Sequence, residues 1–279
     1  MRKDTNPKRF EVDKIPKYGS FFRGFCVVSP ADHLSDLASH SVSFFTEKLG
    51  IEPRKLEFGI HENDADLVRA VSEVNVKTCI DPSSQSIYRH SYGEEGIWGR
   101  DVKIGMKTTD GEGIRNLGTL VLVYDKSSIL GVELALGNNS VIIHSRGLDH
   151  FLDCYATETE LDGISRSLRI KLKDAVIVSM ALFSEGLKPN VSSNQTRLLV
   201  SYMKIIAFCS LVSGTKQNEL SAYIKQFETG ILPFNTAGLT DEIMSWVDEY
   251  QDKLRRTEAR NLCKSDLLVI SKLGEFATS

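Results

Sequence analysis

The chain has 279 residues, 41% hydrophobic and 25% charged, with a formal net charge of −3. That length holds one large domain or two ordinary ones, and the near-balanced charge excludes a chain-wide electrostatic pull toward nucleic acid. Five scattered cysteines (Cys26, Cys79, Cys154, Cys209, Cys263) show no metal-ligand spacing and no signal peptide is read before them, so buried thiols in a reducing cytoplasm are expected.

Residues 1–18 look irregular, and their basic side chains are diluted by Asp4, Glu11 and Asp13, so a solvated arm is expected. Ser20–Val28 reads as a strand interrupted by Gly24. Ser29-Pro30 then opens a helix through Leu34, Leu37, Ser41, Phe44, Phe45 and Leu49 that stops at Gly50. Lys55–His61 alternates as a strand, and Asn63-Asp64 can cap a short helix through Leu67, Val68, Val71 and Val74. Tyr88–Asp101 carries Gly93, Gly96 and Gly99 at every third position, with His90, Arg89, Arg100 and Trp98 among them. In a helix each such glycine would cost about 1 kcal/mol relative to alanine, so a shaped loop is expected, either a ligand wall or a wide hairpin with surface charges.

Strands follow at 101–108, 118–125 and 129–136, with the apolar run Leu120–Tyr124 central and Asp125–Ser128 turning an antiparallel pair. From about Ile142 the period becomes helical, with helices through Leu168–Phe183 and Leu198–Phe208, then at 216–228 and 240–258. Strands first and helices later argue an α+β fold with a boundary near 150–160. The longest apolar run, near Val176–Phe183, is too short to cross a bilayer, and no membrane partner is expected.

Four stretches in this order resemble class II alanyl-tRNA synthetases, in the later part of their catalytic core and the helical domain after it. Phe21–Phe25 with Phe44–Ile51 is similar to the passage out of motif two into a long helix, and Lys55–Ala65 to the strand and acidic turn that come next. Tyr88–Ile104 matches without gaps the loop N-F-W-x-M-G-x-x-G-P-C-G-P-C-S-E-I. Lys173-Asp174 through Glu185–Asn190 resembles the A-D-H-I-R … D-G-x-x-P-S-N helix and turn. The resemblance covers about residues 20–200; together with the periodicity it gives an irregular arm at 1–18, a synthetase-like α+β domain with an antiparallel or mixed sheet at 19–155, and an all-helical domain at 156–279.

The departures limit the function that the resemblance implies. The N-terminal residues leave no room for motif one, and motif two survives at most as its tail, where Arg23 is the nearest basic residue. In the motif three region, Gly131–Ser140, Glu133 takes the acidic position that holds the amino group of alanine in the family, and Gly137 keeps a glycine. Asn138-Asn139 replaces a Glu-Arg pair there, which removes a planar, permanently charged fork. His90 stands in place of a tryptophan lining the amino-acid site, Thr119 in place of an asparagine, and Lys103 in place of a carboxylate. The arginine-rich run for the tRNA acceptor stem is reduced to Arg197 and Lys204.

The resemblance therefore implies a non-charging synthetase-like protein, a pseudoenzyme in which Glu133, Thr119, His90 and Gly137 bind a small amino acid or amine. A homo-oligomer or a heteromeric protein partner is expected, and tRNA is not. The rival is an ATP-dependent amino-acid activating ligase, or part of a split synthetase, with Arg100, Arg89 or Arg23 taking over the nucleotide; Arg89 and Arg100 could equally pair with Glu94, Glu95 or Asp101. A third alternative is a structural protein with an empty pocket. His144, Asp149, His150 and Asp153 suggest a metal, but two histidines six residues apart do not share a helix face. Solvated side chains at a helix entry, and no metal, are expected there. Trp98 and Trp246 are expected to pack rather than to serve as stacking platforms.

Overall fold

A computed structural model describes residues 11, 13–16, 19–107, 114–158, 160–191, 193–228, 232, 234–256, 269 and 271–272. The chain divides into two compact units, one formed by 22–149 and the other by 1–21 together with 150–279. A mixed sheet with helices comes first and an all-helical region after it, so the α+β-then-helical architecture holds.

The first unit is built on seven strands: β1 (Gly24–Ser29), β2 (Leu56–His61), β3 (Lys77–Asp81), β4 (Arg89–Ser91), β5 (Ile97–Lys107), β6 (Ile114–Asp125) and β7 (Ser128–Gly137). Their order is β1-β7-β6-β5-β2-β3, with β4 also on β5. Among the described residues only β2 and β3 pair in parallel. β3 escapes the sequence pattern because Lys77-Thr78-Cys79-Ile80-Asp81 is a short, charged edge strand with little apolar alternation. The glycine segment is less of a loop than expected: 89–91 and 97–101 are paired strand, leaving 92–96 as the turn.

Helices α1 (Leu34–Ser43) and α2 (Ala65–Val71) cover one face. Leu34, Leu37, Phe45, Leu67 and Val71 pack there with Phe58, Ile60, Val102, Ile104, Leu120 and Leu134. Each such side chain stabilises by about 1.5–3 kcal/mol when fully buried, which fixes which way every strand faces. α1 passes into a wider π-type turn over Phe44–Lys48, and the chain leaves it at Gly50 with φ +67°. β7 runs directly into α3 (Asn138–Arg146). Strand β1 lies at the sheet edge and exposes Phe25, Val27 and Val28, with Phe22 exposed just before it.

The second unit packs α4 (Arg166–Ser184), α5 (Asn194–Ser213), α6 (Gln217–Lys225) and α7 (Leu239–Arg256) around one apolar core. Ser165 and Ser193 cap α4 and α5 by accepting from Leu168 N and Thr196 N. α5 is long and apolar enough to cross a membrane by length and composition alone, which no single apolar run in the sequence revealed; here most of it is core. α4 is buried nearly all round, and its polar residues hold the N-terminal residues in place. Asp174 accepts from Ser20 N and Ser20 Oγ, both at 2.7 Å, and Lys171 Nζ donates to the Glu11 carbonyl. Within the described part of the N-terminal arm, the Glu11 and Pro16 carbonyls are tied to this unit, while Asp13, Lys14 and Ile15 are exposed. Lys173 donates to Tyr155 O at 3.1 Å, and burial holds the amines of Lys171 and Lys173 below their usual range.

Candidate functional site: the sheet face opposite α1 and α2

Side chains alternate across a strand, so the face opposite α1 and α2 follows from the register. It consists of three cross-strand rows. The middle row runs Val28, Glu133, Val121, Asp101 across β1, β7, β6 and β5. Below it run Cys26, Ala135, Thr119, Lys103, Gly59 and Cys79. Above it run Gly131, Val123, Gly99 and His90. Glu133, Thr119 and His90 therefore share one face, with Glu133 and Thr119 on adjacent strands and adjacent rows. Gly137 ends the same side of β7, paired with Gly24.

The glycine segment shapes this face in two ways. Gly93 and Gly96 have φ of +80° and +85°, and they turn the chain between β4 and β5. Gly99 serves through size: a Cβ there would meet Val121 Cγ1 at 2.3 Å. The turn carries Tyr92 across the sheet, where its hydroxyl donates to Glu133 Oε2 at 2.5 Å. His90 and Tyr92 lie beside each other with ring centroids 5.7 Å apart. Burial and the Glu133 carboxylate together raise the Tyr92 phenol well above its ordinary pKa.

Asp101, which the sequence suggested only as a partner for loop arginines, is the outlier of the face. It is 3% exposed, and its buried Oδ1 has no hydrogen-bond partner. Burial pushes its carboxyl pKa up, against the lowering influence of His90, Lys103 and Arg89. The sequence signal was an acid in register with Lys103 on a strand. That alternation says "outward", and outward normally means wet. Lys103 itself lies with Nζ 4.3 Å from the centre of the Tyr88 ring, while the Tyr88 hydroxyl donates to Asp81 Oδ2 at 2.6 Å.

Arg89 and Arg100 face the other way, paired with each other in register on the helix-covered side. Arg89 grips Asp64 at 2.7 and 2.9 Å through two nitrogens. Arg100 reaches Asp64 at 3.2 Å, Asp66 at 2.8 and 2.6 Å, and the Tyr124 hydroxyl. The Asp66 bond dominates in raising the guanidinium pKa further. Their partners are thus Asp64 and Asp66, not Glu94, Glu95 or Asp101. Asp64 occupies the helix-cap position of α2 but makes no side-chain cap bond, because the two arginines take it. Trp98 stacks on Tyr124 at 4.5 Å, and Trp246 on Tyr250 at 5.0 Å.

Arg23 is exposed and enters the structure through its backbone: its N–H donates to Asn139 Oδ1 at 3.3 Å and its carbonyl accepts from Asn138 N at 2.8 Å. Asn138-Asn139 thereby ties the start of β1 to the start of α3. His150 is buried rather than solvated, with Nε2 2.7 Å from Pro16 O and Nδ1 accepting from Leu152 N. Among the described residues no group of three or more His, Cys, Asp or Glu is placed to hold a metal ion. Of the described cysteines only Cys209 is buried; Cys26 is exposed and Cys79 and Cys154 are half-buried, while Cys263 lies outside the described residues. The expectation of uniformly buried thiols fails because Cys26 and Cys79 sit on edge strands.

No known protein-family model matches the chain, and comparison with curated proteins finds no match.

Proposed function

We propose that this chain is a non-charging relative of the alanyl-tRNA synthetase core that binds a small amino acid or amine, with its ammonium group on Glu133. The observation that carries this is the Tyr92–Glu133 hydrogen bond on a face shared with Thr119 and His90. Glu133 already accepts from a donor crossing the sheet, and an ammonium group can replace that phenol with a stronger, charge-assisted bond. Thr119 supplies a hydroxyl one row away, and His90 sits at the rim with an imidazole that can face a ligand carboxylate. The direct run of β7 into α3, with antiparallel strands beside it and helices on the opposite face, supports the synthetase relationship.

Nucleotide binding has less support. Arg89 and Arg100 are each held by buried or clustered carboxylates on the opposite face, so a triphosphate would have to break those pairs first. The unpaired, apolar edge of β1 supports a protein partner or a second copy of the chain.

The experiment is thermal denaturation with a panel of small amino acids and amines, run beside pyrophosphate exchange. Amine-dependent stabilisation that Glu133→Gln abolishes, without exchange, is the expected result. A ligand at about a hundredfold its Kd would add about 2.7 kcal/mol to stability. Exchange activity would transfer the case to the ligase. Stabilisation unchanged by Glu133→Gln would remove Glu133 from the site.

A further inference from the structure

The middle row of the sheet face places two carboxylates, Asp101 and Glu133, on either side of Val121. They differ in how they are satisfied. Glu133 accepts from Tyr92, whereas Asp101 Oδ1 is sealed from solvent with no donor. A buried acceptor left unpaired costs about 1–3 kcal/mol, more when charged, so its persistence calls for a function. Nearby cations do not quench it by a hydrogen bond to that oxygen. Lys103 is drawn over the Tyr88 ring, and Arg89 is committed to Asp64.

The geometry points to Asp101 as a second cation anchor, and so to a ligand with two ammonium groups: a short aliphatic diamine or a diamino acid. This rests on the proposed ammonium site at Glu133 and adds the ligand class. Neighbouring strands lie about 4.8 Å apart, so the Cα atoms of these two residues, two strands apart, are separated by about 10 Å. Both side chains project from the same face, so a diamine of about three or four saturated carbons can bring one ammonium to each carboxylate through a charge-assisted hydrogen bond. Val121 lies in register between the anchors and is 0% exposed, so ligand methylenes meet it only once Tyr92, which crosses the sheet to Glu133, is displaced. The phenol of Tyr92, carried by the turn at Gly93 and Gly96, is the group such a ligand displaces from Glu133.

Calorimetric titration of the full chain with 1,3-diaminopropane, 2,4-diaminobutyrate, propylamine and alanine tests this. The diamino compounds are expected to bind at least about tenfold tighter than their monoamino counterparts, a difference of about 1.4 kcal/mol. Asp101→Asn should erase that preference, bringing diamino and monoamino compounds to equal affinity, while Glu133→Gln should lose binding of both. Asp101→Ser, with folding of each variant checked by circular dichroism, repeats the comparison with a different side chain. Equal affinities in the wild-type chain, or a preference that survives both Asp101 variants, overturns the two-anchor inference alone. If no amine binds at all, the Glu133 site falls and this inference falls with it.

Discussion

Arg100 and Asp101 are neighbours on β5, yet they face opposite sides of one sheet and are treated in opposite ways. On the helix-covered side, Arg100 meets Asp64, Asp66 and the Tyr124 hydroxyl, and Arg89 completes the cluster. On the opposite side, Asp101 is equally hidden but has an oxygen with no donor. Charges on the first side are satisfied within the fold, which is the ordinary requirement of a buried polar network. A charge left unsatisfied one residue away marks the second side as the place where the fold expects something from outside.

The largest effect should come from breaking the satisfied side. Asp64→Ala removes the carboxylate partner of Arg89, leaves Arg100 with Asp66 and the Tyr124 hydroxyl, and should cost about 3 kcal/mol, read as a lower urea midpoint. A loss below about 1 kcal/mol would mean the cluster behaves as a surface ion pair, and the contrast between the faces would weaken.

Next in size is Gly99→Ala, which drives a methyl into Val121 and should cost about 1–3 kcal/mol. Adding Val121→Ala should recover part of that loss. A Gly99→Ala chain as stable as wild type would show that the floor of the face yields freely.

The smallest change sharpens the comparison most. Asp101→Asn should stabilise the unliganded protein by about 1 kcal/mol at neutral pH, since it removes a buried, unpaired charge. The folded carboxyl has a raised pKa, so the unfolded chain loses its proton first as pH rises. Stability then falls through the window between the ordinary aspartate value and the raised one. The advantage of asparagine should therefore be full above that window and vanish below about pH 4. Melting curves across pH check this. A variant destabilised equally at all pH values would mean that Asp101 is satisfied in solution.

Much of this was legible in the sequence. Strands at β2, β6 and β7 and helices α4 to α7 follow apolar periodicity, which tertiary packing reinforces here. Placing Glu133 and Thr119 on one face also follows from alternation once their strands are right. Three features were not legible. The partners of Arg89 and Arg100 lie about 25 and 35 positions away along the chain, on a helix start that local rules assign to capping. Tyr92 reaches Glu133 only because the turn crosses the sheet, and turn direction is not encoded by glycine spacing alone. Asp101 alternates like a solvated strand residue, yet it is buried, which periodicity alone does not encode.

The central claim is that an amine binds in the rows around Glu133. Methyl-resolved NMR of the full chain reports on it directly, because Thr119 and Val121 flank Glu133 and Val247 is buried in the helical unit. On titration with 1,3-diaminopropane, the Thr119 and Val121 methyl signals should shift and saturate together while Val247 stays fixed. Saturable shifts confined to the helical unit, or none at Thr119 and Val121 up to solubility, would contradict the account.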